Sequence, residues 1–251
     1  MRITDILKRL AIKLKKSYPF LYTFLAARIS TKRFAGLPLT ILTVIFLFNA
    51  FLLSEIVKSV INSEILVKVD HSVAELFFKS RIPFFARIFY FITQAGNIKV
   101  IAILALVFSV LLVIRKRLMV LFTLWVTIVG SVLTVLAGKH TFKINRPYEY
   151  SYYHENLFSF PSGHASISMA FYGLIAYYLI RESHTLKVKS RIFIATLVLI
   201  LLIGFSRIYL CVHFLSDVLG GYFFGFLWLL LAISFYEWYE DKQKYKIKHP
   251  F

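Results

Sequence analysis

The chain has 251 residues, 59% of them apolar, with a mean hydropathy of +0.73 and a formal charge of +18 at pH 7. A soluble domain holds roughly 45–50% apolar residues, so this composition excludes an ordinary soluble enzyme and points to a single membrane domain. Lys and Arg fall mainly between apolar runs and at the ends, which suits loops beside anionic headgroups and argues against nucleic acid as a partner; the single Cys211 excludes an intrachain disulfide and a Cys-rich metal site.

Residues 1–35 carry nine Lys and Arg. Ile3, Ile6, Leu7, Leu10 and Leu14 recur at helical spacing, with Lys8, Arg9, Lys13, Lys15 and Lys16 mostly elsewhere, which predicts an amphipathic helix lying on the membrane surface. No apolar core with a small-residue cleavage site follows these charges, so the segment does not read as a cleaved signal peptide. A helix crosses a bilayer with about 20 apolar residues. Six stretches qualify or come close: 37–58, 97–114, 118–138, 164–181, 191–207 and 214–236. Helices satisfy their own backbone polar groups in lipid, so the expected fold is all-α, a six-helix transmembrane bundle. Between the first two spans, DHSVAELFFKSRIPFFARIFYF reads as an interfacial helix with Asp70 as its N-cap, broken at Pro83 and continuing into the second span. The implied division is a basic amphipathic segment (1–35), a six-span domain (36–240) and a basic tail (241–251).

Loop charge orients the bundle. The N-terminal segment, Arg115-Lys116-Arg117, the group Arg181, Lys187, Lys189 and Arg191, and the tail lysines 242, 244, 246 and 248 share one side of a six-span chain, and the positive-inside rule makes that side cytoplasmic. The loops 59–96 and 139–163, and the junction at 208–213, then face outward. Tyr148, Tyr150, Tyr152 and Tyr153 read as an interfacial aromatic belt. Gly220, Gly221 and Gly225 read as residues that permit close helix packing.

The outward side carries three unusual stretches. In KHTFKINRP, Lys139 and Arg146 are seven apart, close to two helical turns, so both would project from one face, with Pro147 stopping the helix. PSGH, Pro161 to His164, precedes the fourth span; Ser162 can cap that helix, whose N–H groups favour an anion. In SRIYLCVHFLSD, His213 and Asp217 are four apart, on one helical face, whereas Arg207 lies about 240° around from His213, which predicts a turn between them. Three cations, a helix N-terminus, a hydroxyl and two histidines suit a phosphoryl group. Guanidiniums match phosphate oxygens bidentately and lysine adds a point charge. A histidine held by a carboxylate can attack phosphorus, and a second can protonate the departing oxygen. The His213–Asp217 spacing makes His213 the nucleophile and leaves His164 as the acid. Taken singly, each residue has a plainer reading: His213–Asp217 as a structural pair, Arg207 snorkelling, Lys139 as an interfacial anchor. His140 and His154 read as surface residues, and Lys143 stands outside the site.

Lys139-x6-Arg146-Pro147, Pro161-Ser162-Gly163-His164 and Ser206-Arg207-x5-His213-x3-Asp217 together resemble the three signature motifs of the type 2 phosphatidic acid phosphatase (PAP2) superfamily, in its bacterial membrane branch. The resemblance implies a membrane lipid phosphatase that needs no metal or cofactor. Lys139, Arg146 and Arg207 would hold the phosphate with Ser162 and the Gly163 backbone. His213 would form a phosphohistidine oriented by Asp217, and His164 would protonate the leaving group and later activate water. The implied partners are the lipid bilayer and a lipid phosphate within it: a polyprenyl pyrophosphate, phosphatidylglycerophosphate, phosphatidate or a lipid A phosphate. The motifs leave open the headgroup, the oligomeric state, and hydrolysis against phosphotransfer or a non-catalytic transporter or scaffold; a soluble haloperoxidase use of such a pocket is disfavoured by the spans.

Overall fold

A run of 26 residues, Leu37–Asn62, forms one continuous helix, because it is mostly apolar and its single proline sits in the first turn. The computed structural model that contains it describes residues 13, 15–31 and 33–248. The expected surface helix on Ile3, Ile6, Leu7, Leu10 and Leu14 lies outside the described residues.

In chain order the helices are α1 (Pro19–Ile29), α2 (Leu37–Asn62), α3 (Glu64–Lys79), α4 (Pro83–Gln94), α5 (Ile98–Ile114), α6 (Leu118–Phe142), α7 (Gly163–Glu182), α8 (Leu186–Tyr209) and α9 (Leu215–Lys248), with a 3-10 turn at Tyr148–Tyr150. The described residues include no strand. Helices α2, α6, α7, α8 and α9 are long and apolar enough to cross a membrane; α4 and α5 reach that length only as a pair, bent by 43° at a short break, which gives five or six candidate spans among the described residues. The protein is an all-α, multi-pass membrane protein.

Two expectations for the 63–97 region need correction. Asp70 caps nothing in its own helix: the N-cap of α3 is Ser63, whose Oγ accepts the Leu66 N–H at 3.2 Å, and Asp70 lies buried in mid-helix. The segment after Pro83 also does not run smoothly into the second span. Helix α4 ends at Gln94, and Asn97 restarts the chain by accepting the Lys99 N–H at 2.9 Å as the N-cap of α5.

The chain packs as two compact units, Phe48–Ile233 and the segments flanking it. In the flanking unit, Asp241 Oδ1 accepts the Phe34 N–H at 3.3 Å, and Arg33 lies over the Tyr245 ring at 4.4 Å. Within the central unit α7 packs against α6 and α8, α5 packs on α6, and α3 and α4 pack on α8. Helix α9 lies against α7 through its glycines. A Cβ on Gly221 would stand 2.5 Å from the Ser162 carbonyl oxygen, and one on Gly225 would stand 2.2 Å from that of Ser166. Both obstacles are backbone and cannot rotate away, so the expected close packing is built on missing side chains. Gly225→Ala is therefore expected to lower unfolding free energy by about 1–3 kcal/mol, the usual cost of overpacking, measured by denaturant titration of the detergent-solubilised protein.

Candidate active site

Four helix ends meet at one end of the central unit: the C-termini of α6 and α8 and the N-termini of α7 and α9. Lys139 lies in the last turn of α6. That helix stops at Phe142 because Lys143 adopts a left-handed conformation (φ 50°) and donates its N–H to the Lys139 carbonyl at 3.1 Å. Arg146 therefore does not share a helical face with Lys139, as the seven-residue spacing had predicted. It reaches the site from the non-helical segment that follows, and Pro147 stops nothing.

Ser162 occupies the N-cap position of α7, but its side chain makes no capping bond; Ser162 Oγ is buried without a protein partner. Arg207 lies in the last turn of α8, which ends at Tyr209, and the predicted turn follows. Cys211 adopts a φ of 52°, and the N–H groups of Val212 and His213 donate back to the Arg207 carbonyl at 3.1 and 3.4 Å.

The turn delivers His213 to a fixed orientation. Its Nδ1 lies 3.3 Å from Asp217 Oδ2 and 3.3 Å from Ser159 Oγ, and its Nε2 lies 3.1 Å from Arg146 Nη1. A guanidinium only donates, so Nε2 carries the lone pair and Nδ1 the proton. Asp217 is held in turn by the Phe214 N–H at 2.7 Å and by the Ser159 hydroxyl. His213 is thus a neutral imidazole whose far nitrogen is anchored and whose near nitrogen faces the cations. Burial, followed by Arg146, Arg207 and Lys139, holds its titration well below the ordinary 6.5.

The cations are held as firmly. Arg146 donates from Nε to Leu157 O and from Nη1 to Val212 O, both at 2.6 Å. Arg207 donates from Nη1 to Thr93 Oγ1 at 3.0 Å and to the Tyr153 hydroxyl. Lys139 donates to the carbonyls of Phe158 and Ser159. Tyr153, read from sequence as part of an interfacial belt, is bound to the site by this hydroxyl. Sequence reasoning also missed Thr93, Ser159 and, above all, Glu155.

Glu155 bridges the two guanidiniums. Its Oε2 is 2.7 Å from Arg146 Nη2, and its Oε1 pairs with Arg207 Nη2. Burial alone would raise this carboxyl, but Arg207 and Arg146 outweigh it and hold Glu155 below the ordinary glutamate value. A carboxylate gripped by two arginines occupies the place that a tetrahedral oxyanion would take from the same donors. One question would have found it in the sequence: what neutralises two arginines at bilayer depth?

Beside these groups lies a cavity of about 420 Å³, lined by Lys139, Arg146, Glu155, His164 and His213 at its polar end, with Val132, Val135, Leu136 and Ile167 among its apolar walls. Gly163 lines it too; Ser162, Arg207 and Asp217 are buried and are not among its lining residues. Arg207 Nε, like Ser162 Oγ, is a buried donor with no protein partner. Among the described residues, no group of three His, Cys, Asp or Glu side chains could hold a metal ion. His140 and His154 are exposed, with His154 stacked on Tyr148.

The profile of the PAP2 superfamily matches residues 119–241, which carry all three motifs. Residues 119–241 belong to this superfamily. Phosphatidylglycerophosphatase B of Bacillus subtilis (strain 168) is 45% identical over 85 residues, 34% of this chain and 42% of that protein, so the matched stretch spans less than half of the relative's length. The crystal structure of a transmembrane PAP2-type phosphatidylglycerolphosphate phosphatase from Bacillus subtilis superposes with a TM-score of 0.69 at 27% identity, covering 77% of this chain and 94% of that one. Aquifex aeolicus LpxE, 22% identical, shares the fold with a TM-score of 0.52 over 66% of this chain and 94% of its own.

Two outcomes follow for this PAP2 protein. Glu155→Gln frees the two guanidiniums from a competing charge and is expected to tighten inorganic phosphate binding by roughly tenfold, read from thermal-shift titration. Unfolded imidazole takes a proton near 6.5 while folded His213 does not, so stability present above 6.5 falls as pH drops below it. His213→Gln is expected to flatten that part of the stability–pH curve, measured by denaturant midpoints between pH 7 and 5.

Proposed function

We propose that this chain is an integral membrane lipid phosphatase that cleaves a phosphate ester or anhydride of a lipid through a phosphohistidine at His213. The observation that carries the reading is the fixed tautomer of His213, with its Nε2 lone pair turned toward the cations and its Nδ1–H turned toward Asp217. Phosphate takes the place of the Glu155 carboxylate between Arg146 and Arg207, within reach of Lys139, Ser162 and the Gly163 N–H. Two donors without protein partners, Ser162 Oγ and Arg207 Nε, fit its remaining oxygens.

His213 Nε2 then forms a bond to phosphorus as the bond to the lipid oxygen breaks. Asp217 stabilises the imidazolium through Nδ1–H, and His164, on the same cavity, gives its proton to the leaving oxygen. In the second half, water attacks phosphorus, His164 takes the water's proton, and the nitrogen–phosphorus bond breaks to release inorganic phosphate. The positive charge of the three cations is largest in effect on the equatorial oxygens of each transition state.

Phosphatidylglycerophosphate is the first substrate to try, because a relative with that activity in its name shares 45% identity over the matched stretch and another shares the fold over most of its length. The apolar wall of the cavity supports a substrate whose chains stay in the bilayer. Within the central unit, Arg117 Nη2 lies 3.4 Å from Glu182 Oε1, which brings the α5–α6 and α7–α8 links together at the end away from the site. With these basic links cytoplasmic, the site faces the exterior, and the basic N-terminal and C-terminal segments are assigned to the cytoplasm. The domain division proposed is a basic segment (1–35), the six-span domain (36–240) and a basic tail (241–251).

The test is a panel of lipid phosphates assayed for free phosphate in detergent with chelator present. The parent protein is expected to release phosphate, most rapidly from phosphatidylglycerophosphate. His213→Ala and His164→Ala are each expected to reduce turnover by at least about a thousandfold while the thermal transition persists. Near-normal turnover in either folded variant would remove the role given to that histidine.

A further inference from the structure

Asp70 lies on α3, 143 positions before His213 (213 − 70) and outside all three signature motifs. It is buried, and both of its oxygens are engaged by one residue: Oδ1 accepts the Ser216 N–H at 3.1 Å and Oδ2 accepts the Ser216 hydroxyl at 2.5 Å. Ser216 is the second residue of α9, where backbone N–H groups have no intrahelical acceptor. Asp70 therefore serves as the cap of a helix distant in sequence, with a carboxylate at the positive end of its dipole. The neighbouring residue adds a second hold, since the His71 ring packs on Phe214 at 5.0 Å between centroids. Residues 214 and 216 are thus fixed from α3, while 213 and 217 carry the nucleophile and its carboxylate.

Building on the phosphatase reading above, we propose that Asp70 is a positioning residue for catalysis: by gripping Ser216 it sets the first turn of α9, and so places His213 Nε2 in line with the phosphorus held by the cations. Asp70 lines a small cavity that Arg146 also borders, but its two oxygens are spent on Ser216 and it makes no ion pair with the cations. Its loss displaces the nucleophile and leaves anion binding intact. A displacement of about 1 Å can cost a reacting pair about 100-fold in rate.

The experiment measures Asp70→Ala, Asp70→Asn, Ser216→Ala and the double variant Asp70→Ala/Ser216→Ala in full-length protein. Asp70→Ala is expected to lower kcat by about 10- to 100-fold with KM within about twofold. Asp70→Asn keeps an acceptor for the backbone N–H and a donor for the hydroxyl, and is expected to restore most of kcat. The double variant is expected to be no slower than Asp70→Ala, because both changes remove one contact. A second readout does not depend on turnover. Vanadate takes a fifth ligand from the attacking nitrogen, whereas sulfate asks only for the cations, so Asp70→Ala should weaken vanadate binding about tenfold and leave sulfate unchanged. Should Asp70→Ala fail to fold, Ser216→Ala carries the same comparison with a smaller loss. Full kcat in folded Asp70→Ala, additive losses in the double variant, or equal weakening of vanadate and sulfate would each overturn the proposal. A parent protein that releases no phosphate from any lipid would overturn the phosphatase reading instead, and the vanadate-to-sulfate ratio would still decide the role of Asp70.

Discussion

Three cations held at the meeting point of four helix ends are the constraint on which the central unit depends. Arg207 is fully buried, and Lys139 and Arg146 nearly so. Charges taken out of water at this depth require compensating partners, or the fold that buries them is lost. The carbonyl oxygens of residues 157–159, the hydroxyls of Thr93 and Tyr153 and the carboxylate of Glu155 supply them. This is why the 143–162 connection is drawn inward rather than lying loosely on the surface. The same cations are the groups a phosphate would need. In the proposed cycle the glutamate and the phosphate are alternative occupants of one set of donors, and binding becomes an exchange of anions rather than a filling of empty space.

His213 is bracketed in a comparable way. Asp217 controls which ring nitrogen carries the proton and how the ring is turned, through a bond reinforced by Ser159 and Phe214. Asp70 acts on the backbone that carries the ring. One carboxylate governs the chemistry of the side chain and the other its placement, and the two come from different parts of the fold.

Much of this was legible in the sequence, for a physical reason. Spans are specified by local apolarity, so each of the six expected stretches coincides with a single helix, the second of them with α5, which is short of a full crossing by itself. The ends were less legible, because a helix does not stop where its apolar stretch does. Helix α8 begins at Leu186, capped by Thr185, with Lys187 and Lys189 inside it, and α9 continues well past 236 into charged residues. The signature residues were legible because their chemistry and spacing are encoded within short stretches. Glu155, Ser159, Thr93 and the part played by Asp70 were not, since each acts across a gap in sequence that no local pattern records. Arg146 marks the boundary between the two cases. Its identity was readable, but the backbone that carries it was misassigned, because the left-handed turn at Lys143 leaves no trace in residue type.

The break between α4 and α5 has a consequence for the surrounding lipid. Helix α5 has only 17 residues, about 26 Å of helix against a hydrocarbon layer of about 30 Å, and its first residue, Ile98, lines the cavity. Helix α4, bent away by 43°, has to complete the crossing, and the break between the two falls beside the cavity, which Gly96, Asn97 and Ile98 line. A lipid phosphate entering at that break would reach the buried cations without its chains leaving the oil.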